Sequence, residues 1–187
     1  TASERVEQRV IFVETSRKRA VLANMLKNAS MSRVLVFTRT KHGADRVTQH
    51  LEAVGQPAAA IHGDKSQPQR ERALAAFKAG RISVLVATDI AARGIDIDDI
   101  TQVINYEVPN ISESYVHRIG RTARAGSDGI AISFCDLEER SFLKDIEKLI
   151  GIKIPVVVDQ PYHSNAVASG ALLSKGKAKA QIEGGGG

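Results

Sequence analysis

Six short runs of β-branched and aliphatic residues recur along the chain: RVIFVE (9–14), RVLVFT (33–38), AAAIH (58–62), ISVLVAT (82–88), TQVINY (101–106) and GIAISFC (129–135). They are close to continuously apolar instead of alternating, the pattern of strands in a parallel sheet covered on both faces. Between them the apolar positions change to a helical spacing. That spacing predicts helices over Ser16–Asn28, Lys41–Val54, Gln67–Ala79, Ser112–Ala125 and Leu137–Ile150. Gly55, Gly80, Gly126 and Gly151 each follow a periodic stretch, where a helix end needs a residue that tolerates the left-handed conformation. Strands and helices alternating over short connections predict an α/β domain built on a doubly wound, mostly parallel sheet flanked by helices. Ligands of such sheets bind beyond the carboxyl ends of the strands, so chemistry is sought there.

The periodic pattern stops after KIPVVV (153–158), which puts the domain at 1–159. Residues 160–187 turn small, lysine-bearing and glycine-rich, and are expected to form a flexible extension. It is either a solvated linker or an RNA-binding tail in which Lys175, Lys177 and Lys179 meet phosphates. The 187 residues carry a formal charge of +5, which favours a polyanionic partner. One cysteine, Cys135, cannot form an internal disulfide, and no Cys/His set has zinc-ligand spacing, so no metal site is expected. A reducing, cytoplasmic setting fits, and with no apolar run of membrane-spanning length no membrane partner is expected. The chain starts at Thr1 and ends in GGGG, and is expected to be part of a longer protein.

The densest chemistry lies in HRIGRTAR (117–124). On the predicted helix, His117, Arg121 and Arg124 share one face, while Val116, Ile119 and Ala123 form the face that packs. Like charges at this spacing cost about 0.2–0.5 kcal/mol per pair, and no acid lies among residues 117–126 to offset them. The stripe is either a solvated basic face or a phosphate site, and paired guanidiniums suit the latter. VLVATDIAARGIDI (84–97) runs from a strand into Thr88 and Asp89, with Arg93, Gly94 and Asp96 close behind. Thr88–Asp89 alone reads more readily as a helix N-cap than as a site, but five such residues within nine look like a ligand loop. FTRT (37–40) and HGDKSQPQR (62–70) leave their strands at the same edge, and Gln67 and Arg70 stand one turn apart at a helix start that favours anions.

VLVFTRTKHGAD, AAIHGDKSQPQRERALAAFKAG, VLVATDIAARGIDI and YVHRIGRTARAG stand in the order and spacing of motifs IV, QxxR, V and VI of the DEAD-box RNA helicases. The chain resembles that family across residues 6–155, most closely the bacterial RhlE type, and His117 in place of glutamine favours the DEAD-box group. The resemblance implies a RecA-like helicase C-terminal domain, the second of two that close on ATP with Mg²⁺ and on single-stranded RNA. It implies that Arg121 and Arg124 are arginine fingers, and that His117 helps couple the two halves. Gly94 and Asp96 would bind nucleotide. Thr38, Arg39, Gly63, Gln67, Arg70 and Thr88 would hold the RNA backbone without reading sequence, and Asp89 and Arg93 would organise the interdomain contact. The family commonly has glycine where Ala123 stands.

No GxxxxGK[ST] phosphate loop, Asp-Glu-Ala-Asp stretch or Ser-Ala-Thr motif occurs in the chain. The resemblance assigns these to an N-terminal RecA-like partner domain. The expectation is therefore an RNA-stimulated ATPase in the whole protein and no ATPase in this chain alone. The alternative is a stand-alone RNA-binding or protein-docking module. Proteins of RNA decay or ribosome assembly are further candidate partners.

Overall fold

The computed structural model describes residues 5–122 and 128–170. Six strands form one sheet: β1 (Val6–Phe12), β2 (Val34–Phe37), β3 (Ala58–Ile61), β4 (Val84–Ala87), β5 (Gln102–Asn105) and β6 (Gly129–Cys135). Their order is β1-β6-β5-β2-β4-β3 and every pairing is parallel. The central strands β2, β4 and β5 are buried at every position, which is why β2 and β4 are continuously apolar, while β5 buries the polar Gln102 and Asn105 at its two ends.

The helices are α1 (Lys18–Met25), α2 (Lys41–Ala53), α3 (Gln67–Lys78), α4 (Asp89–Ala92), α5 (Ser112–Ile119), α6 (Arg140–Ile150) and α7 (Asn165–Ser169). Alternate side chains divide the core between the two faces of the sheet. On one face Val34, Val36, Val84 and Val86 meet Val21 and Leu22 of α1 and Val47 and Leu51 of α2. On the other, Leu35, Phe37, Leu85 and Val103 meet Phe77 of α3 and Ala91 of α4. Further along that second face, Val10 and Ala131 meet Tyr115 and Ile119 of α5 and Phe142 and Ile146 of α6. Gly55, Gly80 and Gly151 have φ of 83°, 78° and 76°, the left-handed ends that the sequence predicts. Gly126 lies outside the described residues.

Two expectations change. The helix predicted over Ser112–Ala125 ends at Ile119, with Gly120 as its cap. Beyond it the buried Thr122 turns into the sheet, donating its hydroxyl to Ile100 O at 2.6 Å, and that tether outweighs the continuing helical period. The packed chain also runs past residue 159. Ser164 N donates to Phe12 O at 2.8 Å, Val167 of α7 is 4% exposed, and Arg17 stacks on the Tyr162 ring at 4.7 Å. Residues 171–187, with the three tail lysines, lie outside the described residues.

The edge at β1 is covered by the chain itself. Val10 N donates to Pro155 O and Val157 N to Val10 O, both at 2.9 Å, a bridge parallel to β1.

Candidate functional site

The exits of β2, β4 and β5 meet at one edge of the sheet, and α5 crosses beside them. After β4, Thr88 takes an extended backbone and caps the single turn α4, so Asp89 is its first residue. Arg93 ends that turn, and Gly94 follows with φ of 78°, a conformation that resists a Cβ.

Asp89 faces Arg118 on α5. Arg118 Nε donates to Asp89 Oδ1 at 2.7 Å and Nη2 to Oδ2 at 2.9 Å, a two-pronged pair. Arg118 Nη1 donates to Glu107 O at 2.7 Å and to Asn105 Oδ1 at 3.3 Å, and the guanidinium lies 5.1 Å from the centre of the Phe37 ring. Arg118 is 1% exposed, so one side chain ties α5 to the exits of β2, β4 and β5. Sequence reading missed it. The signal was present: Tyr115, Arg118, Ile119 and Thr122 follow the spacing i, i+3, i+4, i+7, and these four are the buried positions of the segment. The buried stripe therefore differs from the expected Val116, Ile119, Ala123 face: Val116 is only half-buried, and Ala123 is outside the described residues.

His117 is exposed on α5, and Arg121 stands two residues past the last turn, its Nη1 donating to Ile95 O at 2.9 Å. The two are not on one continuous helix, yet both line a cleft of about 80 Å³ with Asp89, Arg93, Ser114 and Phe37. Arg124 lies outside the described residues. A wider cleft of about 660 Å³ adjoins it, lined by Arg39, Lys41, Gly63, Thr88, Asp89 and Arg93 among others, with Ile90 81% exposed at its rim. Asp96 is exposed beyond the Gly94 turn.

The remaining expected positions are placed less directly. Thr38 is fully buried, and its hydroxyl donates to Thr40 O at 3.0 Å. Arg39 lines the wide cleft but turns its guanidinium inward, donating to Glu107 Oε2 at 3.1 Å, to Val108 O at 2.6 Å and to Glu139 Oε2. Two carboxylates already engage that guanidinium, which gives Arg39 an internal positioning role beside the RNA contact expected of it. Gln67 and Arg70 open α3 outside both clefts; Gln67 Nε2 donates to Glu71 Oε1 at 3.3 Å. Arg70 Nη2 reaches Ala91 O at 3.5 Å, linking α3 to α4. Gly63 follows His62, which is 2% exposed. His62 Nδ1 accepts the amide of Asp64 at 3.2 Å, so Nε2 carries the proton and donates to Asp45 Oδ1 at 2.8 Å.

Arg39 belongs to a buried charge network that no local pattern announces. Lys18 Nζ lies 2.5 Å from Glu139 Oε1 and 3.5 Å from Asp136 Oδ2. Asp136 N and Val108 N donate to Glu139 at 3.1 and 2.8 Å. Burial alone would lower the Lys18 pKa, but the Glu139 and Asp136 carboxylates outweigh it and hold the ammonium above its ordinary range. Burial would likewise raise Asp136, yet Lys18 and the Thr15 hydroxyl keep it below the usual carboxylate value.

The helicase conserved C-terminal domain family matches residues 17–126. DEAD-box ATP-dependent RNA helicase 30 of Arabidopsis thaliana is 45% identical over 150 residues, covering 80% of this chain and 25% of that protein. The chain thus spans about a quarter of that curated relative. The E. coli DEAD-box protein SrmB, solved bound to regulator of ribonuclease activity A (RraA), superposes with TM-score 0.80 at 32% identity, over 90% of this chain and 97% of that one. A DEAD box protein from the hyperthermophile Methanococcus jannaschii gives 0.77 at 41% identity, over 84% and 43% of the respective chains. S. cerevisiae Dbp5 bound to RNA and ADP BeF3 gives 0.75 at 32%, over 81% and 41%.

Proposed function

The chain belongs to the helicase conserved C-terminal domain family and, within it, to the DEAD-box proteins, and from that premise we propose that it is the second lobe of an ATP-dependent RNA helicase. In this reading it presents arginine charge to the terminal phosphate of ATP held on a first RecA-like lobe, and contributes part of the surface for an RNA backbone. The observation that carries the reading is the cleft where Arg121, Arg93 and His117 meet at the strand exits, with Arg118 and Asp89 bracing its wall. Dbp5, a relative in this fold, is solved with RNA and ADP BeF3.

The side chains at the cleft fit the outer phosphates of a nucleotide. They offer cations and an open αL turn at Gly94, while among the described residues no group of three or more His, Cys, Asp or Glu is placed to hold a metal ion. The resemblance of the motifs assigns Mg²⁺ to the first lobe. ATP with Mg²⁺, once bound, supplies the phosphoryl group and its charge. Arg121 then meets negative charge that develops there, its guanidinium oriented by the Ile95 carbonyl. His117, one turn away, answers the position of the first lobe; Arg93 and Asp89 set the contact between lobes; and Asp96, beyond Gly94, meets the ribose. Arg124 is assigned the second arginine finger from the motif alone. Gly63 and Thr88, on the wide cleft, and Gln67 and Arg70, at the start of α3, serve the RNA backbone. The RhlE subtype, from the wording of the motifs, a cytoplasmic location, from the single Cys135, and partners from RNA decay or ribosome assembly are part of this proposal.

The test is reconstitution. The chain alone is expected to hydrolyse no ATP, and adding a separately produced first lobe is expected to restore hydrolysis that RNA stimulates. Helicase-like ATPase from the chain alone, or no restoration on mixing, overturns the reading; the second result favours a stand-alone binding module.

A further inference from the structure

On the α1/α2 side of the sheet the same carboxyl edge opens a second polar cavity, of about 340 Å³, whose lining includes Thr15, Lys18, Arg19, Arg46, Tyr106 and Glu107. Its acidic groups already hold cations. Asp136 takes Lys18 and the Thr15 hydroxyl, and Glu107 takes both the backbone amide and the guanidinium of Arg39. Lys18 in turn is sealed beneath, with 3% of its side chain exposed.

Arg19 and Arg46 differ from every other charge around this cavity. Arg19 comes from α1 and Arg46 from α2; both are exposed, and neither makes a hydrogen bond or ion pair within the described residues. Both lie near enough to the Tyr106 hydroxyl to favour its ionised form. Tyr106 itself is fixed, its ring edge-on to Phe134 at 6.0 Å between centroids. Two helices thus bring two unpaired guanidiniums to one mouth, around a phenol that is held still. An anion between them gains charge-assisted hydrogen bonds from both. With Glu107 and Asp136 held by Arg39 and Lys18, Arg19 and Arg46 are the charges left to face a ligand, and the singly charged phosphodiesters of a nucleic-acid strand suit that pair.

We propose that this cavity is a phosphate subsite for single-stranded RNA, with Arg19 and Arg46 gripping backbone phosphates and the Tyr106 hydroxyl donating to a phosphate or ribose oxygen. It extends the RNA surface from the wide cleft across the exits of β2 and β5, and Glu107, which anchors Arg39, lines its wall. The proposal rests on the RNA-helicase reading above and adds a binding position to it.

The test titrates the full chain with fluorescein-labelled oligouridylate over a series of salt concentrations. Each phosphate contact on a single strand contributes about 0.7 to the slope of log K against log salt. Arg19→Ala/Arg46→Ala is expected to lower that slope by about 1.4 and weaken binding roughly tenfold at low salt, while Arg19→Lys/Arg46→Lys keeps the slope. Lys78→Ala/Arg81→Ala, removing the same charge from the opposite edge of the sheet, is expected to leave the slope unchanged. Circular dichroism of each variant confirms that the fold persists. Equal slopes and affinities for the unsubstituted and Arg19→Ala/Arg46→Ala chains overturn this subsite and leave the helicase reading intact. No RNA binding by the unsubstituted chain, together with failed reconstitution of ATPase, overturns the helicase reading itself. Protection of the site by inorganic phosphate as effective as by oligouridylate marks a simple anion pocket and overturns the assignment to RNA.

Discussion

Arg118 holds Asp89 through two parallel hydrogen bonds, 2.7 Å from Nε and 2.9 Å from Nη2, so the helix bearing His117 and the turn after β4 move as one body. Arg118 is 1% exposed, and Asp89 is its only ion-pair partner among the described residues. Asp89→Asn keeps the shape and removes the countercharge. Leaving a buried guanidinium uncompensated is expected to cost about 3 kcal/mol in urea unfolding with little change in m. A loss below about 0.5 kcal/mol, the size of an exposed pair, would show that the bond is solvated.

Arg121 occupies a different position, half-buried at the cleft with its Nη1 donating to the Ile95 carbonyl. Arg121→Ala is expected to change stability by less than about 1 kcal/mol. In the reconstituted ATPase the same change is expected to lower kcat by about 10³ while RNA affinity stays the same. A parallel loss of RNA binding would assign Arg121 to the RNA surface instead.

Alkaline stability follows from Tyr106 and Lys18. Burial raises the Tyr106 phenol from 10.0 to about 12. Between those values the unfolded chain has given up this proton and the folded chain retains it, so stability falls as pH rises through that window. Lys18, also raised, adds loss of the same sign above its ordinary value of 10.5. Tyr106→Phe is expected to make the decline between pH 10 and 12 shallower in thermal melts, without steepening it anywhere. At the acid end the depressed Asp136 contributes stability that is present above its reference value of 3.8 and is lost as pH falls below it. Asp136→Asn is expected to remove that acid limb.

Gly129, the first residue of β6, sits against the tether that ends α5. A Cβ built there lies 2.1 Å from Thr122 Oγ1 and 2.7 Å from Thr122 Cβ. Gly129→Ala is expected to destabilise by about 3 kcal/mol, at the upper end for overpacking, read as a lowered melting temperature. Thr122→Ala added to Gly129→Ala should restore part of the loss, because the Cβ contact remains. Full stability of Gly129→Ala alone would mean that Thr122 moves freely.

The neighbourhood of β6 also separates what was legible in the chain from what was not. GIAISFC was readable as a strand with its observed limits, and the other five strands lie within the predicted runs or start a few residues earlier, as β1 does. Capping glycines at 55, 80 and 151 were readable because a positive φ is a local requirement. The helix after Ser112 was overextended, because Thr122 answers to Ile100 O, a group supplied by another strand exit. Asp89, Arg93, His117 and Arg121, all named from the sequence, line one cleft because strand exits share an edge, although Arg118 between them was missed.

Periodicity and turn chemistry act between residues a few positions apart, so the amino-acid order alone determined the strands, most of the helices and the edge at which ligands meet the sheet. Tertiary structure alone decided which charges are spent inside the fold. Lys18 and Glu139 are separated by 121 positions, and only the placement of β1 beside β6 brings them within 2.5 Å. Arg39 thereby loses its guanidinium to Glu107 and Glu139, while Arg19 and Arg46, on neighbouring helices, keep theirs exposed. An ion pair depends on distance in space, and strand order, which no local pattern encodes, sets that distance.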